Sequence, residues 1–587
     1  MAKRKASQTE RPRKCKRTGR QARAGRQTLR SEKIGALPII NHFLKRLRLE
    51  GWLEEYLPPE DKRVKIPASK ALLVLVRNLL VSREPLYGIG EWAAGYAPDL
   101  LGLSLHQLEA LSDDGMGRAL GCLFRSEQGA FVLAVVRHTI TAFQVALEEL
   151  HNDSTTITFH GKYEEAAEEG TRGGRRTLAI TWGHNKDHRP DLKQLVYILT
   201  LSEDGGVPVH FRAANGNTSD DQTHVETWKL LCELAGRKDF LYVADSKLAT
   251  SDNMTYIAGK GGRFITILPQ TRGEDKTFRK ALREGKVSWR TVYEKIDPED
   301  EEGKVLDRFS VANEPAVSAE GYRLLWYHST RKAEVDGLVR AARIQRATRE
   351  LDELQQRLAS PRTRYRAQSK VAEAVEAILK SREVEDWISV AIEPRTEERY
   401  RQEGRGRPTK DTRYTKEVST RFHLTYRIDH ARITEDQKTD GVFPLITNDV
   451  KLSEQQVLLV YKRQPVIETR FSQLKTDFRV APVYLKEVSR IQALLCVYFL
   501  VLLIESLLER ELRRAMKREQ LESLPLYPEE RPCRRPTARR VIDLFEDIQR
   551  HTVRGDSSDE IVFVTELTDL QRQILKLLGV PANEYHA

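Results

Sequence analysis

The spacing of apolar residues changes twice along this chain. From Ile34 to about Glu149 they recur at helical intervals, as in IINHFLKRLRLEGWLEEYL, ASKALLVLVRNLLVSR and EQGAFVLAVVRHTITAFQVALEEL. Polar breaks such as Pro58-Pro59 and Ser112-Asp113-Asp114-Gly115 separate these runs, which predicts an all-helical domain over 34–149. Lys45, Arg46 and Arg48 stand among its apolar residues, so it is a candidate DNA reader of helix-turn-helix type, with a plain packing domain as the alternative. Beyond Leu150 the residues turn β-branched. Strands are expected over 154–159, 176–183, 194–201, 207–213, 240–245 and 263–269, with helices over 224–235 and 251–259. That order predicts an α/β domain with a mixed sheet over 150–272.

Residues 273–440 interrupt this domain as an α+β insertion. It has strands near 324–328 and 421–428 and a long charged helical stretch over 336–382, where Leu351, Leu354 and Leu358 make an apolar stripe that Pro361 ends. A last strand, 441–448, opens the second part of the α/β domain, 441–515. Ser453 with Gln456 reads as a capping box. Val457, Leu458, Val460 and Tyr461 continue it as a helix, and Pro465 starts another in which Glu468, Phe471 and Lys475 share a face. The apolar run Ala493–Ile504 is too short to span a bilayer and predicts a buried core helix; no membrane partner is expected. Residues 516–587 read as a mostly helical tail.

Charge adds a partner to this picture. Lys and Arg number 97 against 85 Asp and Glu, a net charge of +12, which favours a polyanion. The excess is densest over 1–33, where large apolar residues are nearly absent; that tail is expected to be disordered and suited to neutralising phosphates. A second basic patch lies at 531–540. The five cysteines (Cys15, Cys122, Cys232, Cys496, Cys533) form no C-x-x-C pair, which argues against a zinc module or disulfide framework and fits a reducing compartment. No apolar segment follows the basic N-terminus, so no signal peptide is expected, and the cytoplasm is the predicted location.

Three isolated acids carry the candidate chemistry: Asp153 at a strand start, Asp245 at a strand end and Glu468 on a late helix. Carboxylate oxygens suit Mg²⁺. Two such ions can activate a water or a 3′ hydroxyl and stabilise the leaving oxygen of a phosphodiester. Gathered without cations, the three acids would repel one another. Asp187, Asp191, Asp220 and Asp221 are competing acids, and His160 and His188 read as structural or phosphate-facing. Trp326 is either a base-stacking or a core residue. In Gly404-Arg405-Gly406-Arg407-Pro408, Arg405 and Arg407 flank a glycine as in the core of an AT-hook, which lies along a narrow minor groove; an ordinary loop is the alternative.

These residues together resemble the bacterial insertion-sequence transposases of the DDE class, in the branch whose last acid lies in Tyr-x2-Arg-x3-Glu-x6-Lys. Tyr461, Glu468 and Lys475 hold that spacing; Gln464 stands at the arginine position, with Arg463 beside it. The likeness also takes in Asp153-Ser154-Thr155-Thr156, the run Lys186 to Lys193, Gly216-Asn217-x2-Asp220 and Asp440-Gly441. It implies a ribonuclease-H-like catalytic fold split by an insertion, with Asp153, Asp245 and Glu468 as ligands of two Mg²⁺ ions that Mn²⁺ can replace. It implies hydrolysis at the ends of a mobile element and transfer of the 3′ hydroxyls into target DNA. Tyr461, Arg463, Gln464 and Lys475 are then the candidate contacts to the cleaved end, and a homodimer is expected, since joining two ends needs two sites. The alternative is a transposase-derived DNA-binding protein without catalysis.

Overall fold

The structure, a computed structural model, describes residues 28–61, 63–297, 303–314, 316–360, 362–477, 485–554 and 560–586. Most of the basic tail, 1–27, and the break at Pro361 lie outside the described residues. The chain forms two compact units: residues through Glu127 together with those from Leu503 on, and Gln128–Leu502.

The first unit is helical at its centre. Helix Ala68–Val81 is buried at almost every position and packs against Asp113–Arg125. Two expectations change here. Thr28–Lys33, predicted as disordered tail, is a strand paired antiparallel with Gln549–Arg554, which in turn pairs with Glu560–Val564. The segment is ordered because Arg550 ties Glu32 at 3.1 Å, and the C-terminal hairpin supplies its missing backbone partners. The C-terminal region therefore contributes strands as well as helices, and it shares a core with the N-terminal part. Tyr585 packs on Phe545 and donates to the Gly35 carbonyl at 3.0 Å.

The second unit is built on a ten-stranded sheet. Its strands are β1 (Glu149–Phe159), β2 (Lys193–Ser202), β3 (Val207–Ala214), β4 (Leu241–Ala244), β5 (Arg263–Ile267), β6 (Trp289–Ile296), β7 (Val305–Ala312) and β8 (Arg323–Ser329). A separate ribbon of β9 (Ile388–Gln402) and β10 (Tyr414–Ile428) precedes β11 (Val442–Thr447). The spatial order is β3-β2-β1-β4-β5-β11-β8-β7-β6, with Ala316–Val317 added beside β8. β1, β2 and β3 pair antiparallel, whereas β1, β4 and β5 run parallel. All ten residues of β2 are buried, the mark of a strand covered on both faces.

The expected strand over 176–183 shrinks to Arg175–Thr177 and a single bridge, Thr181 to Gln194. The chain there runs instead against the loop at Gly216. A Cβ on Gly183 would lie 2.0 Å from the Gly216 carbonyl oxygen, so only glycine admits this approach. The insertion is not a separate body throughout, either: β6, β7 and β8 extend the main sheet, because β11 pairs with β5 on one edge and β8 on the other. Trp326 of β8 is buried and stacked on Phe278 with ring centroids 4.0 Å apart, which settles it as a core residue. The run Ala493–Ile504 lies within a longer helix, Val488–Arg518, long and apolar enough by length and composition to cross a membrane. Its most apolar window is 94% buried, as the core-helix reading requires. Phe499 of this helix stacks on Phe211 of β3.

Gly441 sets the entry into β11. Its φ is +76°, and a Cβ there would meet the Ser329 carbonyl oxygen at 2.5 Å. Gly441→Ala is expected to destabilise the protein by about 2–4 kcal/mol, read as a lowered urea midpoint, since it adds a clash to a left-handed conformation.

Candidate active site

Parallel pairing of β1 with β4 sets Asn152 opposite Ala244, so Asp153 and Asp245 follow as neighbours at adjacent strand positions. Asp245 caps the short turn Ser246–Leu248, accepting from the Lys247 backbone N–H at 3.0 Å. The Asp153 carboxylate accepts from the Ser154 N–H at 2.7 Å and faces the Lys186 ammonium at 3.3 Å. Lys186 is the hub of this cluster. Its Nζ also donates to the Ser154 carbonyl at 2.7 Å and Ser154 Oγ at 2.8 Å, and lies 3.2 Å from Asp220. Ser154 Oγ in turn donates to Asp220 at 2.6 Å.

Burial raises the Asp153 pKa to about 6; Lys186 opposes the rise and the nearby charge of Asp245 adds to it. Burial works against the Lys186 ammonium, but Asp153, Asp220 and Asp245 outweigh it and hold its pKa above the ordinary value. His224, at the start of helix α1 (His224–Ala235), feels Asp245, Asp220 and Asp221. Burial nevertheless lowers its pKa to about 4. Its Nδ1 meets the Tyr242 hydroxyl at 3.0 Å, while its buried Nε2 has no hydrogen-bond partner among the described residues.

The third acid arrives on a docked helical joint. Helix α2 (Glu454–Tyr461) begins with the predicted capping box, both of whose hydrogen bonds form. It buries Val457, Leu458 and Val460 against β4, β5 and β11. Helix α3 starts at Pro465 and runs to Ser472. Between them Gln464 is buried: its Nε2 donates to the Asn152 carbonyl at 3.1 Å and its Oε1 meets His151 Nδ1 at 2.7 Å. His151 Nε2 lies 2.7 Å from Glu149, which Arg463 grips through two nitrogens. Glu468 stands one helical turn beyond the Gln464 anchor, on the same side of α3. It is exposed and makes no hydrogen bond or ion pair among the described residues. Burial raises the Tyr461 pKa, and the charges of Asp245, Asp153 and Glu468 raise it further, which puts this ring within electrostatic reach of all three acids.

The other candidates fall into two groups. Lys475 pairs with Asp187 at 2.6 Å. It does not continue the face of Glu468 and Phe471 in α-helical phase, because Gln473–Asp477 is a π-helical turn. Asp191 is engaged by Arg189 at the surface. Arg405 and Arg407 lie at the far end of the β9–β10 ribbon. Arg463 pairs with Glu149 of β1 and stays partly exposed, and Gln464 is buried against the Asn152 carbonyl of the same strand. Lys186, Asp220 and His224 form the part of the cluster that the three acids alone did not single out; the acid-rich spacing of Lys186-Asp187 and Asp220-Asp221 was the available signal.

Asp153 and Asp245 offer hard oxygen donors of the kind Mg²⁺ takes, and their mutual repulsion is what a cation would relieve. Among the described residues, no group of three or more His, Cys, Asp or Glu side chains is close enough together to hold one metal ion as they stand. An ion at Asp153 and Asp245 therefore fits the donor set, with Glu468 reaching it only by movement of its side chain or helix.

Residues 148–504, more than half of the chain, match the family model described as the transposase DDE domain. The chain belongs to the DDE transposase family. Residues 29–136 match a family described only as a domain of unknown function. No curated protein matches this DDE transposase-family chain. Among solved structures it is similar to a piggyBac transposase in a synaptic complex with hairpin DNA, at 9% identity and a TM-score of 0.23. That match covers 47% of this chain and 56% of the other, so the chain spans little more than half of that relative's length.

The raised Asp153 pKa has a sign that can be checked. The native state holds this proton more tightly than the unfolded chain, so stability falls as pH rises from about 4 to about 6 and stays reduced above. Asp153→Asn removes the penalty. In EDTA it is expected to raise stability at pH 8 by up to about 3 kcal/mol, the advantage vanishing below pH ~4, as followed by urea melts across pH.

Proposed function

We propose that this chain is an insertion-sequence transposase of bacterial type that cleaves the ends of its element and joins the 3′ hydroxyls to target DNA. The observation that carries the reading is the placement of Asp153 and Asp245 side by side at parallel strand positions, with Tyr461 sensing both of them and Glu468. The sheet order β3-β2-β1-β4-β5, antiparallel then parallel, supports a ribonuclease-H-like core. In this reading Asp153, Asp245 and Glu468 hold two Mg²⁺ ions, with Mn²⁺ able to replace them. When bound, such ions supply water activation and stabilisation of the leaving oxygen.

The chain's own residues do the rest. Lys186 offsets the paired carboxylates and fixes Asp153 against Ser154 and Asp220. Gln464 and Arg463 lock the α2–α3 joint onto β1, which keeps Tyr461 near the acids and carries Glu468 on the helix that has to bring it to them. Lys475 is a point-charge partner for a DNA phosphate, exchanging Asp187 for it. The helical N-terminal unit and the basic tail hold the DNA, two copies of the chain bring two ends together, and the protein works in the cytoplasm at the nucleoid. A second reading, a DNA-binding protein without catalysis, draws on the absence of a ready three-ligand cluster among the described residues.

A supercoiled plasmid carrying the element ends separates the two. With Mg²⁺ or Mn²⁺, wild type is expected to nick and join at the ends, and Asp245→Ala and Glu468→Gln to lose at least about a thousandfold in rate while keeping DNA affinity. Binding without cleavage by the wild type in either metal would leave the second reading.

A further inference from the structure

Among the described residues, the β9–β10 ribbon is packed against the rest of its unit at its foot. There Ile388, Phe422 and Leu424 share a core with Ala347, Leu351, Leu354 and Leu358 of the long helix Thr330–Ala359 and with Val371 and Val375 of helix Gln368–Arg382. Beyond the pair Pro394 and Phe422 the strands continue in unbroken register to Gln402 and Tyr414, and their residues turn almost entirely exposed. The overhang is roughly 30 Å long. A two-stranded ribbon of this length has little stability of its own and two open edges.

Its charges are divided in an uneven way. Along the shaft the basic side chains face glutamates: Arg395 with Glu393, Arg399 with Glu397, Arg401 with Glu417, Lys416 with Glu398 and Arg421 with Glu397. Exposed pairs of this kind add little stability, but they cancel the shaft's field and discourage edge-to-edge pairing. At the tip the rule stops. Arg405, Arg407, Lys410 and Arg413 make no ion pair among the described residues, and Asp411 is the one acid between Gly404 and Arg413. Protection of the edges explains the paired charges of the shaft and leaves the unpaired cations of the tip unexplained.

The backbone of the tip is shaped for close approach. Gly406 sits at φ +136°, a conformation glycine favours, and neither Gly404 nor Gly406 has any atom within 4 Å of where a Cβ would be. The strip Arg405-Gly406-Arg407-Pro408 thus bends at the ribbon's end, with the Gln402 amide donating to the Gly406 carbonyl at 3.2 Å, open space beside its glycines and an arginine on each side of Gly406. Narrow A·T-rich minor grooves, with their enhanced negative potential, attract arginines presented in this way.

We propose that the ribbon is an arm that grips duplex DNA at its end, with Arg405 and Arg407 in an A·T-rich minor groove and Lys410 and Arg413 on the flanking phosphates. The partner rests on the transposase reading; the grip itself does not need catalysis. The test uses the full chain, wild type and the quadruple variant Arg405→Ala, Arg407→Ala, Lys410→Ala and Arg413→Ala, with 25–30 base-pair duplexes (about three helical turns) in fluorescence anisotropy over a salt series. Removing one cation from a phosphate lowers the slope of log K against log salt by about 0.9, so the variant's slope should be shallower by about 2–4. Wild type should prefer A·T-rich over G·C-rich duplex by about tenfold, and Arg405→Ala with Arg407→Ala should abolish the preference. Because the foot core is untouched, the thermal melt should not move.

An unchanged slope overturns the arm as a DNA contact, and a wild type indifferent to A·T content overturns the minor-groove mode. A variant that keeps the slope but loses self-association in sedimentation also overturns the proposal, assigning the tip to a second copy of the chain. Plasmid cleavage keeps the two readings apart: an uncut plasmid with a reduced slope removes the catalytic reading and leaves the arm, and a cut plasmid with an unchanged slope does the reverse.

Discussion

Two carboxylates side by side on adjacent parallel strands are the constraint around which the larger unit is arranged. Like charges so placed repel, and the charge of Asp245 adds to the rise that burial imposes on the Asp153 pKa. The protein does not avoid this cost; it contains it. Lys186 supplies one positive charge to Asp153 and Asp220 together, and Ser154 bridges the same two acids. The compensation is incomplete, since Asp153 still carries a pKa near 6. Strain of this kind in an otherwise well-packed sheet is a signature of function, because nothing in the fold alone requires an acid at either position.

The joint between α2 and α3 shows how a departure from a family pattern can be built into the structure. Gln464 stands where the resembling proteins carry arginine. Its amide donates to a backbone carbonyl of β1 on one side and meets the His151 ring on the other, so one neutral group serves both partners. The charge has moved one residue back, to Arg463, where Glu149 neutralises it. One residue of the pair anchors the helix to β1, and the other carries a cation held by Glu149.

Much of this was legible in the chain itself, and the reasons are local. The capping box at Ser453, the restart at Pro465 and the helix over 224–235 are set by short-range rules, and all are present. What escaped depends on partners distant in sequence. Thr28–Lys33 is a strand only because residues more than five hundred positions away complete its sheet. The stretch 176–183 has strand-forming residues but meets a glycine loop in place of a neighbouring strand. The acids could be singled out as isolated carboxylates, whereas Lys186 and His224 join them through the geometry of the sheet. The assumption of a continuous α-helical face through Lys475 failed because a π turn adds a residue to the last turn.

That π turn links the last acid back to the first. The dipeptide Lys186-Asp187 points its two charges in different directions: the lysine to Asp153 and Asp220, the aspartate to Lys475. Asn185 stiffens the turn by accepting from the backbone N–H groups of Asp187 and Arg189. One short loop therefore braces the strand that carries Asp153 against the segment that follows Glu468. Lys186 is shared between Asp153 and Asp220 while Lys475 has Asp187 to itself, so a cation reaching Asp153 competes with Lys186, and a phosphate reaching Lys475 competes with Asp187. Were the brace only structural, apolar residues would serve it at lower desolvation cost. Ion pairs, unlike apolar contacts, can be exchanged for other charges, which is the property that the chemistry proposed for this site would call on.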